Sequence, residues 1–219
     1  MNMPRLLPVD PKDPDPTVVR EIVDVLKGEG LVALPTDTVY GLAADIFSEA
    51  ALECLVDLKA RPHDKPIPIF ISSIEDLGAV TREVPEEADR LARKFWPGPL
   101  TLILHASSEI PEAITAGTGT VGIRIPNLLL IEMILKGLDR PITGTSANKS
   151  GGINPVTPQD VQKGLRNQFD LLVDGGKTSS AIPSTVLDCT QFPLRIIRRG
   201  AIERGAIAAL LGKDAVLGP

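Results

Sequence analysis

An α/β domain with an open, twisted sheet of mixed parallel and antiparallel strands, flanked by helices, is what the sequence predicts. Three observations carry this reading. Short aliphatic runs alternate with segments of helical period along the chain. Connections in the second half are short and irregular, which fits a mixed sheet better than a purely parallel one. The 219 residues, 43% hydrophobic and 23% charged, suit one globular domain.

Residues 1–16 are rich in Pro and Asp and are expected to be extended. From Thr17 the chain turns helical: Val18, Val19, Ile22, Val23, Val25 and Leu26 recur at three- and four-residue spacing, and Gly28 and Gly30 end the run. Leu31–Leu34 reads as a buried strand leading into Pro35. Ser48 is a candidate N-cap for a helix through Ala60, which would bury Leu52, Leu55, Leu58 and the Cys54 thiol. Residues 67–71 form the next strand candidate. Pro85 opens a third helix that Pro97 stops. Residues 100–104 and 121–125 are strands, Asn127 caps a helix to Leu135, and Thr157-Pro158 starts another. Residues 169–173, 185–187 and 194–197 complete the strands, and a last helix covers about 206–211. Residues 17–212 are therefore expected as one domain, with 213–219 as a tail.

Composition excludes several classes. Five Phe, one Tyr and one Trp leave the core to Leu, Ile, Val and Ala. A net charge of −5 gives no general attraction to nucleic acid or anionic lipid, although it permits a local cationic pocket. Cys54 and Cys189 fit neither a disulfide framework nor a metal spacing. No apolar stretch approaches a membrane span and the Pro-rich N-terminus is no signal peptide, so a cytoplasmic address is expected.

Two motif matches fail on context. Residues 117–122, GTGTVG, fit a dinucleotide fingerprint, but a strand-like segment follows where a phosphate-binding helix is required. Gly176-Lys177-Thr178 resembles the end of a Walker A loop, but Leu171 stands where its first glycine belongs. His63 and His105 are too isolated for a metal site or a triad.

What survives is a set of polar segments at strand ends. They are 35–42 (PTDTVYGL), Lys59-Ala60-Arg61-Pro62 with Lys65-Pro66, 96–101 (WPGPLT), Arg124 within an apolar strand, 145–148 (TSAN), 183–186 (PSTV) and Arg198-Arg199-Gly200. Each alone has a plain explanation, since cations suit helix C-termini and hydroxyls suit turns. Together they bring several cations and hydroxyls to the strand ends, where α/β proteins build sites. The residues by themselves reach an anionic-ligand site and no further.

In this order the segments resemble the threonylcarbamoyl-AMP synthase family of the YrdC type, from about Gly30 to Ala201. The resemblance implies a YrdC-like fold with a large cationic cleft, and no room for the separate C-terminal domain of longer relatives. It implies a nucleotidyltransferase that joins L-threonine, bicarbonate and ATP into threonylcarbamoyl-adenylate and pyrophosphate. Downstream threonylcarbamoyl transferase proteins would then modify tRNA. Lys59, Arg61, Ser146 and Asn148 match the family's signature tetrad and are the expected catalytic residues. ATP would be held by Arg61, Ser146, Lys65, Thr120, Asn154 and Arg198. Thr36, Thr38, Tyr40, Arg124, Gly144 and Ser184 would hold the threonine, with Arg124 on its carboxylate. Mg²⁺ is expected, held mainly by the ATP phosphates and water, since no cluster of protein carboxylates offers it a cage. Weak direct RNA binding is left open, as is a paralogue on this fold without the synthase activity.

The chain departs from the family pattern at three places: Phe70 where some relatives carry histidine, Pro183 before Ser-Thr-Val, and Arg199 in the last turn. Asp37, the one carboxylate of the octapeptide, is read as a turn acceptor.

Overall fold

The computed structural model describes residues 3–166 and 168–218. The first half runs β1 (Arg5–Pro8), α1 (Pro16–Lys27), β2 (Val32–Leu34), β3 (Gly41–Ala43), α2 (Glu49–Lys59), β4 (Ile69–Phe70), α3 (Leu77–Val80), α4 (Glu86–Phe95) and β5 (Leu100–His105). The second runs α5 (Glu112–Thr115), β6 (Thr120–Arg124), α6 (Leu129–Leu138), β7 (Ile142–Thr143), β8 (Thr145–Ser146), α7 (Pro158–Leu165), β9 (Leu171–Asp174), β10 (Thr185–Asp188), β11 (Leu194–Arg198), α8 (Arg204–Leu211) and β12 (Val216–Leu217). Among the described residues no helix is long and apolar enough to cross a membrane.

Local chemistry starts the main helices, α2 and α7 at the expected Ser48 and Thr157 and α1 one residue before the expected Thr17. Asp15 caps α1 by accepting from the Thr17 N–H at 2.7 Å, with Pro16 at the first turn. Ser48 caps α2 through the Ala51 N–H at 3.2 Å. Thr157 and Asp160 form a capping box at α7. The expected Asn127 cap is not used: α6 begins two residues later, after Leu128, whose side chain makes no capping bond. Cys54 is exposed, not buried, because it falls on the outer face of α2 while Leu52, Leu55 and Leu58 point inward.

The mixed strand direction is present, but the strands divide over two sheets and not one. The five-stranded sheet has the order β1-β9-β2-β3-β8, the seven-stranded sheet β12-β11-β10-β5-β6-β4-β7. β1 draws the extended N-terminal segment into the first sheet, parallel to β9. At the other end, residues 213–219 were expected as a tail, but β12 pairs with β11 and Val216 is buried. Two-residue pairings of this kind leave no periodicity to read.

The sheets part at Gly144. Ile142–Thr143 pair with β4, and Thr145–Ser146 pair with β3. Between them the Gly144 N–H donates to the Pro68 carbonyl at 2.6 Å. A Cβ there would lie 2.4–2.9 Å from the Phe70 ring, so the backbone can approach only as glycine. Gly144→Ala is expected to cost about 1–3 kcal/mol through overpacking. Thermal or urea unfolding checks this, and adding Phe70→Leu should recover part of the loss.

Candidate functional site

A cleft of about 660 Å³ opens where the sheets part. β6 shows how the pleat builds its floor: Thr120, Gly122 and Arg124 line the cleft, while Val121 and Ile123 join the apolar core. Every residue the sequence nominated reaches the wall of this cleft: Lys59, Arg61, Lys65, Ser146, Asn148, Asn154, Thr120, Arg198, Thr36, Thr38, Tyr40, Arg124, Gly144 and Ser184. Lys59, Arg61, Lys65, Arg124 and Arg198 are its cations, and among the described residues no carboxylate lines it.

One wall is a hydrogen-bonded unit at the C-terminal end of α2. Lys59 is only 2% exposed. Its Nζ donates to the Ser146 carbonyl and, at 2.6 Å, to the Asn148 carbonyl. Ser146 Oγ donates to Asn148 Oδ1 at 2.6 Å, and Asn148 Nδ2 donates to the carbonyls of Gly152 and Ile153 at 2.7 and 3.0 Å. Arg61 folds the following loop by donating to the carbonyls of Lys65, at 3.1 Å, and Pro66. Burial, then the nearby Arg61 and Lys65 charges, lower the Lys59 ammonium from its ordinary value to about 7.

A second part of the lining is built around Arg124 and Ser184. Arg124 Nε donates to the Gly98 carbonyl at 2.9 Å, Nη1 to Thr38 Oγ1 at 3.0 Å, and Nη2 to Asp37 Oδ1 at 2.5 Å. Its guanidinium carbon lies 5.8 Å from the Phe70 ring centroid. Ser184 Oγ lies 2.8 Å from Thr101 Oγ1 and accepts from Arg198 Nη2 at 3.0 Å, and Arg198 also donates twice to the Ser184 carbonyl. Gly200 lets the last turn press on this strand, because a Cβ would come within 2.3 Å of the Ser184 and Thr185 backbone. Tyr40 is wholly buried; its hydroxyl donates to the Gly176 carbonyl at 2.7 Å and accepts from the Gly175 N–H at 3.2 Å. That bond ties the octapeptide loop to residues 174–176.

Sequence reasoning missed part of the lining. Ile103, Val186 and Ile197 add an apolar strip to the floor, and Ser150-Gly151-Gly152 edges the Asn148 side. The alternation of Thr101 with Ile103 and of Ser184 with Val186 held that signal, since each pair shares one strand face. Asp37 is not a turn acceptor: its carboxylate takes the Arg124 guanidinium.

The fold and this wall chemistry define an α/β domain with a cleft between two sheets, whose cations suit phosphate or carboxylate and whose hydroxyls suit a small polar group. Residues 24–200 match the family model Sua5/YciO/YrdC, described as telomere recombination. The chain belongs to that family. It is 39% identical over 183 residues to the threonylcarbamoyl-AMP synthase of Pyrococcus abyssi, covering 84% of this chain and 54% of that protein. To the Bacillus subtilis threonylcarbamoyl-AMP synthase it is 36% identical over 199 residues, covering 90% of this chain and 57% of the relative. The chain thus spans little more than half the length of these two relatives. A crystal structure of P. abyssi Sua5 complexed with L-threonine superposes with a TM-score of 0.92 at 35% identity, covering 97% of this chain and 62% of that one.

Proposed function

We propose that this chain condenses L-threonine, bicarbonate and ATP into threonylcarbamoyl-AMP and pyrophosphate. The observation that carries the reading is that two separate hydrogen-bonded groups line one cleft. The Lys59, Arg61, Ser146 and Asn148 unit suits a polyphosphate, and the Arg124, Thr38 and Ser184 group suits a small hydroxy amino acid. Relatives named threonylcarbamoyl-AMP synthase support it.

Lys59, Arg61 and Lys65 would offset charge on the triphosphate, with Ser146, Thr120, Asn154 and Arg198 orienting it. Arg124 would take the threonine carboxylate, and Thr36, Thr38, Tyr40, Gly144 and Ser184 would shape the pocket around the rest. The threonine amine attacks the bicarbonate carbon to give an N-carboxylate: the N–C bond forms, a C–O bond breaks, and the hydroxyl leaves as water with a proton from the amine. An oxygen of that carboxylate then attacks the α-phosphorus, and pyrophosphate leaves. Positioning and charge stabilisation supply the acceleration, with no covalent enzyme intermediate. Among the described residues no three His, Cys, Asp or Glu side chains gather into a metal cage. Mg²⁺ would enter with the triphosphate, mainly on its phosphates, and would offset part of their charge. A cytoplasmic transferase that passes the threonylcarbamoyl group to tRNA would consume the product.

Pyrophosphate release from MgATP tests this. Release should require both L-threonine and bicarbonate and fall on the order of ten- to a hundredfold in Arg61→Ala. Serine should support some release and valine almost none, because valine would set a methyl group where the pocket presents the polar Thr38 and Ser184 hydroxyls. Release indifferent to the amino acid would sink the proposal.

A further inference from the structure

We infer that Asp37 is a positioning residue of the amino-acid subsite, holding the Arg124 guanidinium in place for a substrate carboxylate; this rests on the function proposed above. The two side chains are 11% and 5% exposed and meet at 2.5 Å. Asp37 does not line the cleft, whereas Arg124 does, so the ion pair forms the support of the subsite and not its surface. Among the described residues the Asp37 carboxylate accepts from Arg124 and from no backbone N–H of its own loop. That loop is fixed independently: Thr36 Oγ1 donates to the Val39 carbonyl at 2.7 Å and accepts from the Thr38 N–H at 3.0 Å. A carboxylate is therefore not needed at position 37 to shape the turn.

Its charge serves Arg124. Burial disfavours the guanidinium charge, and Asp37 counters that penalty. Three of the five guanidinium N–H groups are taken, by Gly98, Thr38 and Asp37. One N–H on each terminal nitrogen is left without a protein partner among the described residues. Those two donors are held in a compensated, preorganised group before any ligand arrives. Without Asp37, Nη2 loses its anchor and the buried cation has no counter-charge.

The test is calorimetric binding of L-threonine and of L-threoninol, the amino alcohol lacking the carboxylate, to wild type, Asp37→Ala and Asp37→Glu, with MgATP binding as control. Wild type should prefer threonine. Asp37→Ala should weaken threonine on the order of thirtyfold or more, leave threoninol and MgATP within about twofold, and so collapse the preference; Asp37→Glu should restore part of it. A second measurement follows the Arg124 Nε–H resonance by NMR, assigned by its loss in Arg124→Lys, which should exchange faster with water in Asp37→Ala. A preference that survives in Asp37→Ala, an unchanged Nε–H, or equal losses for all three ligands would overturn the inference while leaving the synthase reading standing. A wild type that shows no preference for threonine would overturn both.

Discussion

Arg124→Leu is expected to lose about 3–5 kcal/mol of folding stability, because it leaves the Asp37 carboxylate in a nearly dry pocket without its counter-charge. The Arg124 side chain is 5% exposed and donates to the Gly98 carbonyl, Thr38 Oγ1 and Asp37 Oδ1, so its loss leaves all three acceptors without that donor. The double replacement Arg124→Leu with Asp37→Leu should recover much of that stability, since removing both charges removes the uncompensated desolvation as well. Activity should not return with stability. Threonine-dependent pyrophosphate release should stay absent in both variants, because the carboxylate subsite has gone. Urea unfolding reads the first effect and the release assay the second. A single variant as stable as wild type would mean that the pair carries no net energy in the fold. A stable double variant that regained threonine dependence would remove Arg124 from the amino-acid subsite.

Lys59→Met is expected to abolish pyrophosphate release and to change how stability depends on pH. The sign follows from the folded ammonium, which titrates near 7, well below the ordinary lysine range near 10.4. Between those values the unfolded chain binds more protons at this site than the folded one. Unfolding free energy contributed by Lys59 therefore rises with pH through that window and is flat below it. Relative to Lys59→Met, wild type should gain roughly 2–3 kcal/mol between pH 6 and 9. Denaturation across that range checks it, and a pH-independent difference would count against a neutral buried amine. A bound triphosphate should pull the proton back. MgATP binding near pH 8 is then expected to take up protons in wild type but not in Lys59→Met, read as a heat that depends on the buffer's ionisation enthalpy. The methionine also leaves the Ser146 and Asn148 carbonyls without their Nζ donor, so the loop between them should loosen as well.

The sequence by itself determined the pieces that depend on near neighbours. The Asp15, Ser48 and Thr157 caps, the apolar faces of α1 and α2, and most strands follow from residues a few positions apart. The site residues were legible in another way: each polar segment alone had a plain explanation in helix-end or turn chemistry, and only their order along the chain, which resembles a known family's motifs, singled them out. The tertiary structure decided what depends on distant partners. It split the strands into two sheets at Gly144, where the Phe70 ring leaves no room for a side chain. It recruited β1 and β12, whose pairing partners lie far along the chain or in a two-residue contact. It gave Lys59 carbonyl acceptors 87 and 89 positions away, and gave Asp37 a guanidinium 87 positions away. Caps and periodicity act over a turn or two, whereas desolvation and ion pairing depend on which distant groups the folded chain encloses together.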